Sequence, residues 1–294
     1  MSLSYPEDLK LLVNEALRQY FPRSDRHLSV VSEAMSYSLF SPGKRFRPVL
    51  TLLAAEALGA DPKIALPVAC AIEFIHTYSL IHDDLPAIDN DDLRRGRATC
   101  HIKFGEDVAI LAGDALFAEA FVLVLTEQQK YADAGRLLET LRELAAATGI
   151  NGMVGGQAVD IMATGADVDR DTLEYIHNHK TGSLITAAAR CGAILGGGSA
   201  AEIEAISEYA KHLGLTFQII DDILDVVGST DGVGKHVGRD ADNRKTTFPG
   251  QLGVDKAQDE AQATAAMAIE ALSGAGFKTD RLVDMANFVL RRTS

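Results

Sequence analysis

Apolar residues recur at spacings of three and four along most of this chain, and stretches that alternate apolar with polar residues are scarce. That period repeatedly turns one face of an α-helix inward and gives a β-strand no consistent face to bury. An all-α fold is therefore expected, with helices near 5–20, 26–39, 44–59, 64–84, 104–126, 131–148, 152–164, 170–195, 199–227, 254–273 and 279–292. Local signals support several limits. Ser199 and Glu202 form a capping box just after Gly196-Gly197-Gly198. Pro86 disfavours helical geometry at Leu85, so the fourth helix should stop there. The longest stretch with little helical pattern is 228–250, and no linker or repeat divides the chain. A single domain over 1–294 is expected.

Two of these helices end in acid. The first cluster runs His82-Asp83-Asp84-Leu85-Pro86-Ala87-Ile88-Asp89, followed by Arg94 and Arg95; the second is Asp221-Asp222-Ile223-Leu224-Asp225. Asp221 and Asp225 lie four apart, one helical turn, on one side. Asp83 and Asp89 are six apart and would not share a helix face, so the turn after Pro86 must fold Asp89 back toward Asp83. Neighbouring carboxylates repel, and burying one unpaired costs roughly several kcal/mol. A hard divalent cation relieves this: magnesium takes one or two carboxylates and fills its shell with water and substrate phosphate. Two such clusters facing each other would grip a diphosphate. A single cluster of this kind is as readily a solvated helix end; two, each closing an apolar helix, are not.

The net charge of −13 argues against a nucleic-acid or anionic-membrane surface. Against that background the run Gly43-Lys44-Arg45-Phe46-Arg47-Pro48 stands out. Lys44 and Arg47, three apart, can hold a diphosphate without metal, although a solvated helix start would look the same.

Taken together, the blocks GKRFRP at 43–48, EFIHTYSLIHDDLPAIDNDDLRRGRATCH at 73–101, GGQAVDI at 155–161, KTGSLI at 180–185, FQIIDDILD at 217–225, GK at 234–235 and KTTFP at 245–249 resemble the trans-prenyltransferases. The similarity is to their short-chain isoprenyl diphosphate synthases, and within these to the bacterial farnesyl diphosphate synthase branch. The resemblance implies an orthogonal helix bundle around a deep apolar cavity. It implies condensation of an allylic diphosphate (dimethylallyl or geranyl) with isopentenyl diphosphate, in a cytoplasmic homodimer. Asp83, Asp84, Asp89, Asp221, Asp222 and Asp225 correspond to metal ligands for roughly three magnesium ions held with the substrate diphosphate. Arg94, Lys180 and Lys235 correspond to contacts of the allylic diphosphate, and Lys44, Arg47, His76 and Arg95 to the isopentenyl diphosphate site. Thr181 and Gln218, with Lys180, correspond to catalytic positions near the reacting carbon. Gln157 and Asp160 would stand behind the metals, and Asp240 and Lys245 in a segment that closes over the phosphates. Pro42 replaces the glycine usual before this family's Gly-Lys-Arg. The chain also carries Arg291-Arg292 near its end, where the family often ends in a basic residue.

Product length follows from pocket depth. Tyr78 lies five residues before Asp83, about 7.5 Å back along a helix, and is expected to form the floor. An aromatic residue there, with the two-residue extension between Asp83 and Asp89, goes with farnesyl products in the bacterial branch; a smaller residue would fit a geranylgeranyl synthase. Ordinary core packing is the plainer role for Tyr78. Other readings stay open. Glu73/His76 and Glu174/His177 are both ExxH, the spacing of a di-iron bundle. A noncatalytic partner subunit would keep the helices, and a terpene cyclase would share the metal logic without the Lys44/Arg47 site. Cys70, Cys100 and Cys191 form no CxxC pair, which points to a reducing compartment. No window approaches eighteen uninterrupted apolar residues, and no membrane span or secretory signal is expected.

Overall fold

The computed structural model describes residues 5–23, 25–227 and 245–293. The described residues form helices α1 (Glu7–Tyr20), α2 (Ser29–Leu39), α3 (Phe46–Ala57), α4 (Leu66–Asp83), α5 (Cys100–Phe104), α6 (Glu106–Thr126), α7 (Ala134–Thr148), α8 (Met153–Ala163) and α9 (Arg170–Ile176). They continue with α10 (Ser183–Leu195), α11 (Ala200–Val227), α12 (Phe248–Leu252), α13 (Val254–Ala271) and α14 (Asp280–Leu290). The fold is all-helical, with one exception: a small hairpin pairs β1 (Leu93–Arg94) with β2 (Arg97–Ala98). The hairpin and α5 were not anticipated, because two-residue strands and a five-residue helix are too short to carry a period.

Helix α4 is the spine. Ten consecutive residues, Leu66 to Ile75, are buried, all but Glu73 apolar, so this part of the helix is enclosed on every side and packs against α3, α6 and α10. Helix α11 runs beside α10 and α13 and carries the second acidic cluster at its end. The Ser199/Glu202 capping box forms as expected: Ser199 N donates to Glu202 Oε2 at 2.7 Å and Glu202 N to Ser199 Oγ at 3.4 Å.

The expected continuous helix over 170–195 is broken. Between α9 and α10 the backbone widens into a π-turn, His177–Gly182, which holds Lys180 and Thr181. The wider turn is rare in helices, and such insertions occur frequently at functional sites. The turn survives because its neighbours come close. A Cβ on Gly156 of α8 would lie 2.1 Å from Lys180 N. Gly156→Ala is therefore expected to push the π-turn aside, destabilising the protein by about 1–3 kcal/mol and lowering turnover more than substrate affinity. Chemical denaturation beside steady-state kinetics checks both.

Two stretches, Pro62–Asp83 (22 residues) and Glu106–Lys130 (25 residues), are long and apolar enough to cross a membrane, which the criterion of uninterrupted apolar residues passed over. The first is 72% buried inside the fold and is a core helix. The second is 39% buried and exposes Ile110, Leu111, Val122 and Leu125.

Candidate active site

At the end of α4 the chain folds back on itself. Asp89 N donates to Asp83 O at 2.9 Å and Asp91 N to Asp84 O at 3.0 Å. Asn90 takes a left-handed φ of 51° to close the turn. The return of Asp89 to Asp83 is thus a backbone fact. Burial pushes the Asp83 carboxyl up to about 6; Lys180 opposes this and Asp89 reinforces it. Among the described residues no hydrogen bond or ion pair satisfies that carboxylate.

The six aspartates do not share one setting. Asp84 is buried, and Arg94 occupies it: Nε donates to Oδ1 and Oδ2 at 2.8 and 2.9 Å, while Nη2 lies 2.6 Å from Oδ1. Asp222 is buried likewise. It accepts from Gln218 Nε2 at 3.0 Å and Phe248 N at 3.1 Å, and His177 Nε2 lies 3.1 Å from Oδ2. Both residues, expected as metal ligands, are turned into the protein and hydrogen-bonded there. Arg94, expected on the substrate, pairs with Asp84. On α11 the alternation is geometric: Asp222 faces inward, while Asp221 and Asp225, one turn apart, stay partly exposed on another side.

The π-turn sits between the two clusters. Lys180 feels the charge of Asp83, and Thr181 Oγ1 donates to Gln218 Oε1 at 2.8 Å, tying the turn to α11. Because Asp222 can only accept, the Gln218 amide must point its NH2 there and its oxygen at Thr181. Asp160 of α8 accepts from Lys180 Nζ at 2.6 Å and Lys245 Nζ at 3.2 Å, and Lys245 also donates to Asp89 at 2.9 Å. Burial opposes charge on Asp160, yet the two ammonium groups outweigh it and hold its carboxyl below the ordinary range. Both amide ends of Gln157, one turn earlier on α8, are buried without a partner among the described residues. Lys235 and Asp240 lie outside the described residues.

Beside the acids lies a basic group. Burial lowers Lys44, helped by Arg292, and lowers Arg47 to about 10, with Glu73 and Asp221 opposing. Asp221 acts on both cations, which puts the basic group next to the second acidic cluster. His76 is driven well below its usual value by burial and by Arg47 and Arg95, so it is a neutral imidazole. The Nε of Arg47 and Nη1 of Arg292 are buried without a partner among the described residues. Arg292 also pairs with Asp221 at 2.8 Å. Below the acids, the Tyr78 ring stands edge-on to Phe117 at 4.9 Å, and Phe117 to Phe121 at 5.2 Å.

The sequence profile described as Polyprenyl synthetase matches residues 28–282. The chain belongs to the polyprenyl synthetase family. It is 47% identical over 251 residues, 85% of this chain and 84% of the relative, to the farnesyl diphosphate synthase of Geobacillus stearothermophilus. It is 40% identical over 293 residues to the geranylgeranyl diphosphate synthase of Cyanophora paradoxa, covering 99% and 97% of the two chains. The solved FPP/GFPP synthase from Zymomonas mobilis superposes with a TM-score of 0.83 at 36% identity, over 97% of this chain and 99% of that one.

In this polyprenyl synthetase several site residues escaped sequence reasoning. Phe248 and His177 brace Asp222, with their rings 5.4 Å apart, and no spacing rule links positions 177, 222 and 248. Phe117 and Phe121 lie on another helix from Tyr78. Arg45 reads as a third cation in a basic run, yet it is buried. The ExxH pairs do not face each other across metals: Glu73 pairs with Arg45 at 2.8 Å and Glu174 with Arg170 at 2.6 Å. No group of three or more His, Cys, Asp or Glu side chains among the described residues could close around a metal alone.

Proposed function

We propose that this chain condenses dimethylallyl or geranyl diphosphate with isopentenyl diphosphate and releases pyrophosphate, with farnesyl diphosphate as its main product. The observation that carries this reading is the neighbourhood of two unlike anion sites. One is a carboxylate cluster fit for metal, and the other is a metal-free group of Lys44, Arg47, Arg95 and neutral His76, coupled to it through Asp221. A terpene cyclase would have no use for the second.

Asp83 and Asp89, with Asp221 and Asp225, would hold magnesium, roughly three ions with the substrate diphosphate. The fit is chemical: Asp83 is a partly exposed, largely desolvated carboxylate with no protein donor among the described residues, and oxygen ligands suit a hard cation. When bound, the metal neutralises charge growing on the leaving pyrophosphate. Lys180 and Lys245 stand ready to exchange Asp160 and Asp89 for phosphate oxygens. The Thr181 hydroxyl, its proton given to Gln218, presents oxygen lone pairs toward developing positive charge. Asp84 and Asp222 hold Arg94 and Gln218 in place. The apolar wall of Tyr78 and Phe117 excludes water that would quench a carbocation. Incubation with dimethylallyl diphosphate, isopentenyl diphosphate and magnesium, followed by mass spectrometry, is expected to yield farnesyl diphosphate. Geranylgeranyl diphosphate as the main product would favour the alternative family member, and no pyrophosphate release would favour a noncatalytic subunit.

The exposed stripe of Ile110, Leu111, Val122 and Leu125 on α6, with Leu138 of α7 and Val154 of α8 also exposed, supports a homodimer across this face. Leu111→Glu/Val122→Glu is expected to halve the mass measured by light scattering. A variant of unchanged mass would remove this face from the interface. All three cysteines are buried and free, in keeping with a cytoplasmic enzyme.

A further inference from the structure

Glu73 and His76 share a face of α4, and the site described above uses only His76. Glu73 is 3% exposed, and its carboxylate accepts from Arg45 Nη1 at 2.8 Å. Arg45 spends its other donors nearby: Nε on Asn14 Oδ1 at 3.0 Å and Nη2 on Ser41 O at 3.1 Å. Its backbone lies in the left-handed region at φ 55° and ψ 41°, disfavoured for any residue with a Cβ. From the opposite side the Tyr5 hydroxyl donates to Lys44 O at 2.6 Å, and Arg95 Nη1 donates to Pro42 O at 2.9 Å.

We propose that Glu73, Arg45 and Tyr5 form a latch that sets the shape of the turn at 41–47 and so positions Lys44 and Arg47 for isopentenyl diphosphate. This rests on the function proposed above and adds positioning residues to it. The left-handed reversal at Arg45 sends that side chain into the core, while Lys44 and Arg47 stay within reach of Asp221. Such a reversal persists only where surrounding bonds over-determine it, and here Ser41, Pro42, Lys44 and Arg45 are each held. Without Glu73 the Arg45 guanidinium would be a buried charge with no counter-ion and would leave the core, carrying the turn with it. Glu73 has a second effect: it sustains the charge of Arg47 and Arg95 against their burial.

Two variants test the latch, with both substrates varied independently. Tyr5→Phe removes one hydroxyl and is expected to raise KM for isopentenyl diphosphate about fivefold. KM for the allylic diphosphate and kcat should stay within roughly twofold. The double variant Arg45→Met/Glu73→Met replaces the ion pair by apolar side chains, which folds more safely than Glu73→Gln alone. It should raise KM for isopentenyl diphosphate at least about tenfold, or 1.4 kcal/mol, with the same asymmetry. A Tyr5→Phe enzyme with both KM values unchanged, or with both raised together, overturns the latch, and this arm decides even if the double variant does not fold. Wild-type protein that fails to join the two substrates overturns the proposed function instead.

Discussion

Asp83→Asn is expected to lower kcat/KM by roughly a thousandfold, about 4 kcal/mol, while leaving the metal-free protein at least as stable as wild type at neutral pH. The two halves of this prediction have one cause. Asp83 is largely desolvated at the end of α4 and accepts no hydrogen bond among the described residues, so the pull of Lys180 and Arg94 does not offset the cost of its charge. The folded protein holds its proton up to about pH 6, whereas a free aspartate releases it near 3.8. Between those values the folded state binds more protons than the unfolded state, so stability falls as pH rises through that window. Above it, the ionised carboxylate penalises the metal-free fold by on the order of 3 kcal/mol. Asparagine does not titrate and should escape the loss. Denaturant unfolding without magnesium, followed from pH 3.5 to 7.5, should show wild type declining relative to the variant. Asp222→Ala provides the contrast, because Gln218, His177 and Phe248 all bond to that carboxylate. It should lose stability by about 3 kcal/mol. Should Asp83→Asn unfold as readily as Asp222→Ala, Asp83 is a structural brace and the metal assignment fails.

Tyr78→Ala is expected to shift the main product from farnesyl to geranylgeranyl diphosphate. The Tyr78 ring lies about 7.5 Å down α4 from Asp83, edge-on to Phe117, which is edge-on to Phe121. Removing the first ring opens space directly beneath the acidic cluster and leaves the second as a new floor. The gain should therefore be limited, and Tyr78→Ala/Phe117→Ala should lengthen the product further. Truncating a half-buried aromatic costs up to about 3 kcal/mol, so the variants are best assayed at reduced temperature after a check of helicity. Mass spectrometry of the products decides. An active Tyr78→Ala enzyme that still stops at farnesyl diphosphate places the floor in another layer.

Glu73 shows how far a motif can mislead when read alone. Its spacing from His76 suits a di-iron ligand pair, yet its partner is Arg45, 28 residues earlier in the chain. Likewise the six aspartates look equivalent in sequence, and the fold separates Asp84 and Asp222, which are buried and bonded to Arg94 and to Gln218, His177 and Phe248, from the other four, which stay partly exposed.

Period, caps and breakers are local properties, so the residues alone were enough for the helical class, the helix stop before Pro86, the Ser199/Glu202 cap and the family to which the chain belongs. The π-turn at 177–182, the Lys180–Asp160–Lys245–Asp89 chain and the left-handed turn at Arg45 were decided only by packing. Each depends on groups far apart in sequence meeting where water is excluded, and there the need to satisfy every buried charge overrides what any short stretch prefers on its own.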